Sequence, residues 1–163
     1  MVAYVKRMPY GIPGDVSRPS QSTIEAGVFN ASLPFTKYGI PGKVASGKFV
    51  PLAGAETAAD VYGILVRPYP ITGASASDPL GTAVPPTSGV ADVLRRGYIN
   101  VKNNAGTPAL NGVVYVRIAT PGAGTPIGGI EAAADGANTI VLTGARFMSA
   151  ADASGNVEIA YNI

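Results

Sequence analysis

The residues able to do chemistry in this chain are few in kind. Among its 163 residues there is no His and no Cys, which leaves carboxylates, Lys, Tyr, Ser and Thr as the only groups on which catalysis could rest. Imidazole bases, thiolate nucleophiles, disulfides, iron–sulfur clusters and thiolate or imidazole metal sites are all excluded. A pair of carboxylates working as in a glycosidase is the one enzymatic scheme left to test. No spacing brings Glu56, Asp60, Glu131 and Asp135 together in a cleft, and with no Trp and only 4 Phe the aromatic platform of a sugar site is weak. The chain is therefore read as a non-enzyme without a cofactor.

Asp152, Ser154, Asn156 and Glu158 stand at every second position, the pattern with which a calcium loop begins. The rest of that motif fails, because Val157 stands where Gly is needed and the chain ends before the bidentate acid. The segment is read as a strand-connecting turn, with no metal. Gly122, Gly124, Gly128 and Gly129 resemble a phosphate loop only superficially, since Pro126 intervenes and no helix follows to supply amides. The sequon Asn30-Ala31-Ser32 would matter only in a secreted eukaryotic protein.

Arginines are more informative. Arg95 and Arg96 are adjacent within a strand pattern, so one of them must face a covered surface or a contact. A covered guanidinium needs a carboxylate or carbonyl partner, and the same holds for Arg67. Asp60, Asp92 and Glu131 are candidate partners. The arginines serve either ion pairs within the subunit or contacts between subunits. Lys6, Arg7, Tyr10 and Arg18, near the start of the chain, join Arg67, Arg95 and Arg96 as the candidate interface residues.

The elements that must carry these residues are short strands. Apolar residues make up 47% of the chain and charged ones 13%, while 21 Gly and 14 Pro come to about a fifth of it, against roughly 12% in ordinary proteins. Runs rich in β-branched and aromatic residues, each closed by Gly, Pro, Asn or Asp, fall at Thr23–Leu33, Phe35–Tyr38, Lys48–Leu52, Val61–Arg67, Tyr98–Lys102, Val114–Ile118, Thr139–Thr143, Arg146–Ser149 and Val157–Tyr161. The run over Val61–Arg67 is apolar almost throughout, as in a strand covered on both faces. A loop spans Pro68–Gly89. Two Ala-rich stretches, Ala53–Asp60 and Glu131–Asp135, could each form a turn or two of helix. The fold class is all-β, a sandwich or barrel of about eight strands at roughly 8–12-residue spacing.

Residues 1–22 are Pro-rich and net basic. They are read either as an extended arm ordered by what it lies against or as a loosely held terminus, with residues 23–163 as a single β domain. Tyr10-Gly11-Ile12-Pro13-Gly14 recurs as Tyr38-Gly39-Ile40-Pro41-Gly42, two similar turns in which Pro fixes one φ and Gly supplies a positive one. A formal charge of +2 is too small a bias to favour nucleic acid as a partner. Apolar stretches stop well short of the roughly 20 residues a spanning helix needs, so no membrane partner is expected and an intracellular site of synthesis fits.

Several segments resemble the structural cement, or capsid decoration, proteins of tailed bacteriophages: Gly11–Arg18, Tyr62–Tyr69, Val93–Tyr98 and the strand Val113–Ile118. The resemblance rests on their order and texture over most of the chain. It implies a jellyroll-like β domain that self-associates as a dimer or trimer, and that sits on the outer capsid surface of the virion bridging subunits of the major capsid protein. A receptor- or carbohydrate-binding β-sandwich module of a phage tail or fibre is the alternative.

Overall fold

Alternation of apolar and polar residues builds nine strands in the computed structural model, which describes residues 11–68 and 82–163. They are β1 (Thr23–Val28), β2 (Pro41–Ala45), β3 (Lys48–Pro51), β4 (Gly63–Leu65), β5 (Val90–Lys102), β6 (Val113–Arg117), β7 (Ile130–Glu131), β8 (Thr139–Phe147) and β9 (Asn156–Tyr161). Helix is confined, among the described residues, to single 3-10 turns at Pro19–Gln21, Ala58–Asp60 and Gly136–Asn138. The protein is all-β. Its strands run antiparallel in the order β3-β2-β4-β5-β9-β8-β6-β7, with β1 added to β5, and the sheet curls into a half-barrel.

Strand β5 joins the two parts of this sheet. Its first half pairs with β1 and β4, Leu94 standing opposite both Ile24 and Ile64, and its second half pairs with β9 from Gly97↔Tyr161 to Lys102↔Asn156. The change of partner falls at Gly97, whose φ of +139° is open to Gly and strained for other residues, and where a Cβ would run into Ser22. The turn in the sheet is thus fixed by one residue.

Alternate side chains of the central strands feed two cores on opposite faces. Ile64, Leu94, Ile99, Val116, Leu142, Phe147 and Ile159 belong to a large, mainly aliphatic cluster. Leu65 and Val93, the neighbours of Ile64 and Leu94, instead meet Phe29, Phe35, Tyr38 and Phe49 in a smaller aromatic one. Phe35 stacks on Phe49 at 4.9 Å between centroids, and Phe29 meets Phe35 edge-on at 6.1 Å. The continuous apolar run through β4 reflects this burial on both faces.

Four local readings change. Pro41-Gly42, expected in a turn, opens β2, because Pro without an N–H is tolerated as the first residue of a strand. Phe35–Tyr38 is not a strand, and its aromatic residues are apolar because they fill the smaller core. Thr139–Phe147 is one strand where two were expected. Glu131–Asp135 is not helical: Glu131 lies in β7, and the nearby 3-10 turn starts only at Gly136.

Of the expected arm, residues 1–10 lie outside the described residues, as does most of the loop expected at 68–89. Residues 14–17 run along the second half of β5: Gly14 N–H donates to the Asn100 carbonyl at 2.8 Å, Asn100 N–H to the Asp15 carbonyl at 2.9 Å, and Ser17 N–H to the Tyr98 carbonyl at 3.1 Å. This segment then continues through the first 3-10 turn into β1.

Candidate functional site

The two copies of the repeated pentapeptide meet. Gly39 N–H donates to the Leu65 carbonyl at 2.9 Å and Arg67 N–H to the Gly14 carbonyl at 2.9 Å, so the end of β4 ties both turns together. Gly14 (φ +95°) and Gly39 (φ +75°) then pack backbone to backbone: a Cβ on Gly39 would lie 2.7 Å from Gly14 N, and one on Gly14 would lie 2.6 Å from the Cβ of Tyr38. Asp15 closes the first turn by accepting Ile12 N–H at 3.2 Å. Tyr10, the first residue of its copy, lies outside the described residues.

Beside this junction opens a cleft of about 320 Å³, lined by both turns and by Thr82–Val84, Lys102 and Pro126 among others. Among the described residues its lining includes Lys37, Arg67 and Lys102 and no acidic residue. Tyr38 lines it too, yet the residue is only 3% exposed and its hydroxyl has no hydrogen-bond partner among the described residues. Leaving such a group unpaired costs about 1–3 kcal/mol. Burial pushes the Tyr38 hydroxyl pKa up, against the opposing influence of Arg67, so it stays a proton donor at neutral pH. Arg67 itself is buried, its guanidinium 4.8 Å from the Tyr38 ring centroid, 3.3 Å from the Pro13 carbonyl it donates to and 3.9 Å from the Asp15 carboxylate.

The other arginines separate in role. Arg95 lies 3.6 Å above the Tyr62 ring and 3.4 Å from Glu25, whose carboxylate also accepts the Tyr62 hydroxyl at 2.6 Å. Arg18 covers the Tyr98 ring at 3.9 Å and pairs with Glu158 at 2.9 Å, while Ser17 donates to the same carboxylate at 2.5 Å. Arg96 is exposed and has no ion pair among the described residues. Lys6 and Arg7 lie outside the described residues. Of the expected partners, Asp60 caps Thr57 at 2.7 Å and Glu131 binds Arg117, while among the described residues Asp15 lies beside Arg67 and Glu25 beside Arg95.

Sequence reasoning missed the most buried ion pair. Arg117, 6% exposed, takes Glu131 in two parallel hydrogen bonds of 2.6 and 2.9 Å and reaches Asp135 at 3.0 Å. Two acids converge here, but on a shared guanidinium, not on a substrate cleft. Lys43 similarly donates to buried Glu56 at 2.6 Å. Desolvation raises the Glu56 pKa, but the bonds from Lys43 and from the N–H groups of Ala53 and Gly54 outweigh it and leave the pKa below the ordinary glutamate value. Asp152 accepts the N–H groups of Ser154 and Asn156, each at 2.8 Å, which makes the alternating segment a turn.

A family model described as XM1 gp53 minor capsid protein matches residues 1–161. A chain of the solved structure "The capsid of Myoviridae Phage XM1" superposes with a TM-score of 0.70 at 19% identity, over 98% of this chain and 95% of that one. At that identity the likeness speaks for the fold. No curated protein matches the chain.

Proposed function

The chain belongs to the XM1 gp53 minor capsid protein family, and from that premise we propose that it lies on the outer surface of a phage capsid, bridges neighbouring subunits of the major capsid protein and so stabilises the shell. Membership gives it a structural role in the capsid. The observation that carries the finer reading is the span of the match, residues 1–161, which includes the basic start of the chain as well as the half-barrel. A protein that binds only the assembled lattice stabilises it by RT ln(1 + [L]/Kd) at each site, and many sites act together. It has no catalytic task in this reading, and its acids serve Arg117, Lys43, Arg18 and Arg95.

Self-association as a dimer or trimer belongs to the same reading. It is supported by the outward apolar residues of β1 and β5: Val28 and Val90 are paired across the two strands and are 50% and 67% exposed. The alternative, a carbohydrate-binding tail module, draws no support from the aromatic residues, since Phe29, Phe35 and Phe49 are buried. The start of the chain is assigned to reaching a neighbouring subunit. Deleting residues 1–10 tests this, because residues 14–17 hydrogen-bond to β5 and a longer deletion would strip a sheet edge.

The deciding experiment is occupancy on expanded capsids that lack the protein. Saturable decoration, with a higher capsid melting temperature and little binding to isolated capsid subunits, is expected. Equal binding to isolated subunits, or decoration that leaves the shell no more stable, would sink the bridging role.

A further inference from the structure

The cleft between the two pentapeptide turns is a docking site for a carboxylate of a capsid subunit: we propose that an Asp or Glu side chain on an extended capsid segment enters it, accepts the hydroxyl of Tyr38 and is met by Lys37. This rests on the capsid-surface reading above and names the chemistry of the partner.

Two independent observations point the same way. Tyr38 is 3% exposed and lines the cleft, and its buried hydroxyl has no acceptor among the described residues. A buried donor of that kind is satisfied by an acceptor brought from outside. The charge of the described lining is one-sided as well, with Lys37, Arg67 and Lys102 and no acid among the described residues. Arg67 is already engaged with Pro13 and Asp15, and Lys102 donates to the Ser154 carbonyl. Lys37 is exposed and has no hydrogen bond or ion pair among the described residues, so its charge is available to a partner.

The walls choose the kind of anion. Pro13, Ile40, Ala83, Val84 and Pro126 give the cleft apolar sides, and its volume of about 320 Å³ has room for a side chain of a partner. A carboxylate flanked by aliphatic residues fits both the sides and the charge. A nucleic-acid backbone would present repeated phosphates to a single unengaged lysine.

The test uses the full chain on expanded capsids that lack it. A zero-length carbodiimide, which joins an amine to a carboxylate in direct contact, is expected to link Lys37 to an Asp or Glu of a capsid subunit, as read by mass spectrometry. Tyr38→Phe removes only the unpaired hydroxyl, so the isolated protein should melt at the same temperature or higher while its capsid affinity falls about tenfold. Lys37→Glu should weaken decoration further and reduce its salt dependence. If the natural chain decorates capsids, yet both variants decorate equally well and Lys37 forms no cross-link, the docking site is overturned and the capsid reading stands. If the natural chain does not decorate at all, the capsid reading falls and the docking site with it. Tight binding of a DNA duplex that Lys37→Glu abolishes would overturn the carboxylate in favour of phosphate.

Discussion

The two faces of the central strands are filled differently. On one, fifteen buried residues, all but two of them aliphatic, close around β5, β6, β8 and β9, and the rim is sealed by Arg117 with Glu131. On the other, seven residues organised by stacked rings leave β1 exposed over nearly its whole length and the cleft open beside Tyr38. The first region buries nearly everything it has. The second keeps apolar and cationic surface in reserve, and the contrast teaches where stability and contact are separately lodged.

The sharpest way to break this contrast is to remove the seal. Glu131→Ala leaves the buried Arg117 guanidinium with only Asp135 and two carbonyls, and a loss of about 3–5 kcal/mol is expected in urea unfolding. A loss below about 1 kcal/mol would mean the rim is not closed. Leu65→Ala, at a fully buried position facing the rings, is expected to cost about 2–5 kcal/mol and to change the near-ultraviolet signal of the tyrosines packed there.

Acid separates the regions more gently. Because the folded pKa of Glu56 is lowered, its contribution is complete above the unfolded value of about 4.3 and is lost as pH falls through the folded one. Glu56→Gln should therefore flatten the decline of stability below about pH 4.3 in a series of melting curves. An unchanged acid limb would show that Lys43 and the two N–H groups do not hold the carboxylate. The smallest effect belongs to the open face: Val28→Ser should change stability by no more than about 0.5 kcal/mol while lowering self-association in sedimentation. Destabilisation above about 1 kcal/mol would assign Val28 to the core and erase the distinction.

What could be read from the chain follows from how local each signal is. Strict alternation over Tyr98–Lys102, Val114–Ile118 and Val157–Tyr161 marks strands because period two is written in consecutive residues. β7 escaped notice because two residues carry no period. Ion-pair partners were not legible, since they depend on register: Glu25 stands opposite Val93, one same-face position from Arg95, only because β1 pairs with β5 as it does. The repeated pentapeptides were recognisable as turns. Their meeting, and the cleft beside it, required Arg67, just after β4, and Asn100 of β5 to bond to the same glycine.

The sharing of β5 also sets an order of events during synthesis. Residues 14–17 and β1 are made before β5 and can cover one of its edges at once, but β9, which pairs with Gly97–Lys102 on the other edge, ends only at Tyr161. At roughly 5–20 residues per second, a ribosome takes about 3–12 s to make the intervening stretch. For that interval an apolar strand edge, with Ile99 and Val101 on it, has no partner from its own chain. Neighbouring nascent chains on one message carry the same open edge at the same moment, and each is relieved of it only when its own last strand arrives.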